Sequence, residues 1–288
     1  MEAKCLRGRA PFLRRLQSTL SLAVALFPVF ALSLGGCGGK AALEDSPSPE
    51  AKAPTTLTVS AAISLKDALT ELKGIYEKDH PNAKIDYNFG ASGNLKEQIL
   101  SGASVDVFLS VGKKEIDELK DKNYVDQGRV DSVATNRLVL VAPRDGGKPT
   151  TFRNLPEALG ASGKLALGEP KSVPAGRYAE QALKAAGVWD AVKDRVVYAQ
   201  TVRQVLAYVE SGEANYGVVY ATDAKISDKV TVVDTADSSW HDPIHYLGVV
   251  LANSQHKAEA TKFLDFLLSP EAQEVFAKYG FSPGAGRM

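Results

Sequence analysis

Four stretches of this sequence each carry an apolar run into a residue suited to opening a helix. LTVSAAI (57–63) leads to Ser64, KIDYNFGA (84–91) to Ser92, KLALGEPKSV (164–173) to Pro174, and RVVYAQ (195–200) to Thr201. Beyond each joint apolar residues recur at helical spacing: Leu65, Ala68, Leu69, Leu72, Ile75 and Tyr76 after the first, Val202, Val205, Leu206 and Val209 after the last. A hydroxyl at such a joint can cap its helix, and Ser64-x-x-Asp67 has the form of a capping box. The same joint can bind an anion, because a helix start presents unpaired N–H groups and the positive end of its dipole. One joint of this kind is commonplace in α/β proteins. Four of them at the carboxyl ends of strands, where open α/β sheets take ligands, would make an anion site if they converge.

The elements that must position these residues alternate strand and helix from Thr56 onward, which predicts an α/β fold of parallel-rich sheets flanked by helices. A chain of 288 residues is long enough for two lobes. With 44% apolar and 24% charged residues it reads as globular, and a net charge of zero argues against a nucleic-acid partner.

The first 40 residues follow other rules. Lys4, Arg7, Arg9, Arg14 and Arg15 precede LSLAVALFPVFALSL (20–34), a run broken by Pro28 and shorter than the roughly 20 residues of a membrane span. A basic start, a short apolar middle and small residues after it predict a signal peptide over 1–36. Leu34-Gly35-Gly36-Cys37 resembles the lipobox of bacterial lipoproteins, in which Cys37 is lipidated and becomes the mature N-terminus; the alternative is an exported protein with a stray Cys. Cys5 lies in the leader, so no internal disulfide is expected. Acyl chains on Cys37 would hold the protein at a membrane surface without spanning it. Residues 37–54, rich in Gly, Ala, Ser, Pro and charge, read as a flexible tether. Loss of residues 1–36 removes five Lys/Arg and one Glu from a balance of 34 and 34, leaving a net charge of −4.

AAISLKDAL (61–69), NFGASGNLKEQI (88–99), SVDVFLSV (104–111), LALGEPKSVPAGRYAEQAL (165–183), VRQVLAYVESGEANYGVVYATDA (202–224) and LSPEAQEVFAKYGF (268–281) occur in that order. Together they resemble the periplasmic molybdate-binding proteins, the ModA family, of ABC molybdate/tungstate importers. The resemblance implies a two-lobed periplasmic (type II) solute-binding fold, with lobe 1 at 55–136 plus 238–288 and lobe 2 at 137–237. It implies an oxyanion site made of the hydroxyls of Ser64, Ser92 and Tyr220 and the backbone N–H groups of Ala175 and Val202. The metal would be held by these same residues as its oxyanion, with no separate cofactor and no catalytic residue. The implied partners are molybdate or tungstate, an ABC permease and, through the lipid anchor, a membrane. The protein would be a monomer in the periplasm or at the cell surface. Gly93 and Asn94 follow Ser92 where relatives vary, which bears on geometry but removes no donor.

The residue types suit the ligand. Molybdate and tungstate are tetrahedral dianions without a proton near neutral pH, so their oxygens only accept, and amide N–H, serine O–H and tyrosine O–H all donate. Hydrogen phosphate would gain from one acceptor, and none of the five positions is Asp or Glu; Asp67 reads as a cap. Sulfate is smaller, so its exclusion would rest on cavity size, and another tetrahedral oxyanion such as sulfate or phosphate remains the alternative. An enzyme reading finds little: there is no G-x-S-x-G elbow, and Pro149 breaks the phosphate-loop resemblance of GGKPT (146–150). Pro243 separates His241 from His245, against a metal-binding helix. A transcriptional effector domain fits poorly with the leader and Cys37, whereas a sensory or scaffolding lipoprotein stays open.

Overall fold

The alternation of strands and amphipathic helices builds two sheets. The computed structural model describes residues 54–126 and 128–288; the leader, Cys37 and the tether up to residue 53 lie outside it. In chain order the first group of elements is β1 (Thr55–Ala62), α1 (Lys66–Asp79), β2 (Ala83–Gly90), α2 (Ser92–Leu100), β3 (Val107–Val111), α3 (Lys114–Asp121) and β4 (Asp131–Thr135). The chain then crosses to β5 (Leu138–Pro143), α4 (Leu155–Leu159), β6 (Leu165–Gly168), α5 (Pro174–Ala185), α6 (Trp189–Val192), β7 (Val196–Ala199), α7 (Val202–Glu210), β8 (Tyr216–Tyr220), α8 (Ala221–Lys225) and β9 (Val230–Thr235). It returns as β10 (His245–Val250), α9 (Lys257–Leu267), α10 (Pro270–Lys278) and β11 (Ser282–Arg287).

The first sheet has the order β11-β4-β10-β3-β1-β2 and the second β7-β6-β8-β5-β9. β1 pairs in parallel with β2 and β3, and β6 in parallel with β7 and β8. The antiparallel pairs all involve β4, β5, β9 or β10, the strands that flank the two crossings. The strands that run into the four joints, β1, β2, β6 and β7, therefore lie in the parallel parts, where all the strands of a set end on one edge.

The helices bury the faces their spacing predicts. α1 puts Ala68, Leu69, Leu72 and Tyr76 against the first sheet, and α7 puts Val202, Val205, Leu206 and Val209 against the second. Fully buried leucines such as Leu69 and Leu72 are each worth about 1.5–3 kcal/mol. Pro174 opens α5, where a missing N–H costs nothing. Gly176 follows because a Cβ there would stand 2.0 Å from the carbonyl oxygen of Gly168, so only glycine lets the start of α5 seat on the end of β6. Among the described residues no helix is long and apolar enough to cross a membrane.

Candidate functional site

The four joints converge. Ser64, Ser92, Ala175, Val202 and Tyr220 all line one small, tightly closed cavity between the two sheets. The other walls are Ala62, Ile63, Gly90, Ala91, Val111, Val173 and Pro174, so among the described residues the lining holds no charged side chain. All five positions are buried, none above 4% exposed. Ala175 and Val202 are the second and first residues of α5 and α7, where an α-helix leaves N–H groups without an intrahelical partner. A larger hollow of about 1180 Å³ lies far along the second sheet, but its walls mix Asp145 and Glu157 with Lys148 and loop glycines and offer no donor-only surface.

Hydrogen bonds settle what the serines can do. Ser64 Oγ lies 3.0 Å from Tyr246 Oη and accepts its proton, and Ser92 Oγ accepts the N–H of Val111 at 3.0 Å. With an acceptor position filled by a fixed donor, each serine keeps its own proton to give. Tyr220 Oη is buried and has no hydrogen-bond partner among the described residues. Burial pushes the Tyr220 and Tyr246 hydroxyls well above the ordinary tyrosine range, so both stay protonated donors. Buried polar atoms are rarely left unpaired, and one aimed at a donor-lined cavity points to an acceptor ligand.

The capping expected of Ser64 and Asp67 is not found. Ser64 sits in a 3₁₀ turn, Ile63–Leu65, and α1 starts beyond it with no side-chain cap. Its oxygen is engaged by Tyr246, while Asp67 Oδ2 takes Arg203 Nη2 at 2.6 Å from α7. Arg203 also meets Asp223 Oδ1 at 2.6 Å, a buried carboxyl that desolvation pushes up to about 6 in spite of the guanidinium. Thr201 does cap α7, its Oγ1 accepting the N–H of Gln204 at 3.1 Å. His245 opens β10 with Nδ1 3.1 Å from Ser132 Oγ, and His241 stands on the return crossing.

Further contacts join the two sheets around the cavity, and sequence reasoning missed them. Arg177 of α5 pairs with the buried Glu115 of α3 at 2.8 Å. Gly93 N donates to Ser172 O at 3.0 Å, so α2 meets the loop before α5 backbone to backbone. Only this last contact had a local signal, a glycine directly after a site serine. Glu115 and Arg177 stand 62 positions apart and Asp67 and Arg203 136 apart, and nothing local marks either pair.

Two lobes meeting over a buried, donor-lined cavity at the ends of parallel strands define a periplasmic solute-binding protein of type II. The chain belongs to the bacterial extracellular solute-binding protein family, whose model matches residues 57–282, and within it the protein is ModA-like. This is a family of extracytoplasmic binding proteins rather than enzymes. YvgL of Bacillus subtilis, described as a candidate ABC transporter substrate-binding lipoprotein, is 42% identical over 263 residues, covering 91% of this chain and 97% of its own. The molybdate-binding protein ModA of Haemophilus influenzae is 36% identical over 232 residues, 80% of this chain and 91% of its own. The solved substrate-binding domain of a candidate molybdenum ABC transporter from Clostridium difficile aligns with a TM-score of 0.63 at 37% identity, over 79% and 98% of the two chains.

Proposed function

We propose that this protein captures molybdate or tungstate between its two lobes outside the cytoplasm and delivers it to an ABC permease. The ligand would be held by the hydroxyls of Ser64, Ser92 and Tyr220 and the N–H groups of Ala175 and Val202, with residues 55–136 plus 238–288 as one lobe and 137–237 as the other. One observation carries the reading: every polar side chain lining the cavity is a hydroxyl, two of them with an acceptor position already filled and the third, Tyr220, with no partner. A fully deprotonated tetrahedral dianion needs donors alone. Charge-assisted bonds from neutral donors are roughly twice as strong as neutral ones, so several together can offset the loss of hydration. Hydrogen phosphate would find no carboxylate in the lining to accept its proton. The ligand of the Haemophilus relative and the transporter class of the Bacillus and Clostridium relatives agree with this reading.

The residues before 54 extend it. Export by residues 1–36, lipidation of Cys37 and a tether over 37–54 would leave a monomeric binding protein moored at a membrane, near a permease that accepts its cargo. Titration calorimetry with molybdate, tungstate, sulfate and phosphate tests the ligand. Strong binding of the first two with weak binding of the others is expected. Sulfate binding as tight as molybdate would reassign the protein to the smaller oxyanion, because a donor-only site separates the two by size alone.

A further inference from the structure

A hydrogen supplied to the oxygen of Ser64 fixes its hydroxyl so that its own proton is the one left for a ligand, and the source of that hydrogen can be followed back through the fold. Asn136 stands at the first crossing, between β4 and β5, where its backbone N–H donates at 3.2 Å to the carbonyl oxygen of Ile244, the residue just before β10. Its side-chain Oδ1 accepts the N–H of Arg137 at 2.9 Å. That bond decides which way the amide is turned, since oxygen and nitrogen have opposite roles. Nδ2 therefore faces inward and donates twice, to Thr222 Oγ1 at 2.8 Å and to Tyr246 Oη at 3.1 Å.

Tyr246, fully buried on β10, receives one hydrogen from the amide and has one to give. Its neighbour at 3.0 Å is Ser64 Oγ, so the proton goes there. Its ring is held edge-on against Phe281, with centroids 5.2 Å apart, and against Tyr220 at 6.1 Å, which leaves little freedom to turn away. Each bond in the series has one allowed direction, from Arg137 N–H through Asn136 and Tyr246 to Ser64, and the last hydrogen is directed into the cavity.

We infer that Asn136 and Tyr246 are positioning residues of the anion site: a one-way hydrogen-bond relay, anchored at the crossing between the lobes, that holds the Ser64 hydroxyl as a donor toward the bound oxyanion. The inference rests on the reading of Ser64 as a ligand donor. A preset donor costs no reorientation on binding, and a fixed polarity also turns away ligands that present a hydrogen at this point. Asn136 bonds Thr222, two residues beyond Tyr220, so the same amide reaches the strand end that supplies the other hydroxyl.

The test is a double-mutant cycle read by molybdate calorimetry on the exported chain. Tyr246→Phe keeps the ring and removes the hydrogen given to Ser64; it should weaken molybdate binding about fivefold. In a Ser64→Ala background the same change should have no further effect. Asn136→Asp keeps the shape but replaces the inward donor with an acceptor, which reverses the relay and turns the lone pairs of Ser64 toward the ligand, and its carboxylate charge also repels the dianion in either background. It should therefore weaken binding more than Tyr246→Phe; the part that acts through Ser64 should vanish once Ser64 is alanine, while the repulsion by the added charge remains. A merely structural role would lower the melting temperature and weaken binding equally in both backgrounds, which would overturn the relay. Should Tyr246→Phe fail to fold, the Asn136→Asp cycle decides alone. If Ser64→Ala by itself leaves molybdate affinity unchanged, the site reading falls and the relay with it, and the single variant shows which has failed.

Discussion

Tyr220→Phe separates a ligand-binding hydroxyl from a structural one by the sign of two effects. The hydroxyl is buried without a hydrogen-bond partner among the described residues, while the ring packs edge-on against Tyr246 with centroids 6.1 Å apart. Phenylalanine keeps that packing and deletes a polar atom whose unpaired burial costs about 1–3 kcal/mol. The ligand-free protein should therefore not lose stability. Its melting temperature should stay level or rise, at about 2–4 °C for each kcal/mol relieved in a domain of this size. Binding should move the other way. A hydrogen bond to a charged acceptor contributes about 1.5–3 kcal/mol, so the molybdate dissociation constant should rise about ten- to 150-fold. Scanning calorimetry without ligand and titration calorimetry with molybdate give the two quantities. Unchanged affinity would remove Tyr220 from the site. A fall in both would mean that the hydroxyl serves the fold, contrary to the reasoning.

Three further outcomes follow from the contacts around the cavity. A Cβ on Gly93 would lie 2.6 Å from Ser172 O, so Gly93→Ala should hinder the approach of the lobes, weakening molybdate binding at least about tenfold with little change in ligand-free melting, and solution scattering should show a more open particle. Arg203→Gln leaves the Asp223 carboxyl buried without its partner, a loss of about 3–5 kcal/mol at pH 8. Because that carboxyl is already raised to about 6, and rises further without the guanidinium, the melting-temperature gap from wild type should narrow at pH 5, where it is protonated; a gap independent of pH would refute the assignment. Tyr178, Tyr220 and Tyr246 hold their protons above the ordinary tyrosine range because burial disfavours the phenolate. The unfolded chain releases them near pH 10, so above about that value the folded state binds more protons and stability should fall as pH rises, as seen by alkaline titration of melting.

Local pattern determined a large part of this protein. Apolar runs ending on Ser64, Ser92, Pro174 and Thr201 marked four strand-to-helix joints, and helical spacing marked the buried faces of α1 and α7, because both depend on neighbours a few residues away. The family resemblance pointed to Ala175, Val202 and Tyr220, and the fold brings these to one cavity with the two serines. What local pattern could not determine was the state of each donor. Ser64-x-x-Asp67 reads as a capping box, yet Tyr246 lies 182 residues from Ser64 and Arg203 136 residues from Asp67, and these distant partners claim both side chains. A hydroxyl has one proton and a choice of directions, and a carboxylate pairs with the nearest cation. Tertiary structure decided both, because only folding sets which groups stand within 3 Å of them.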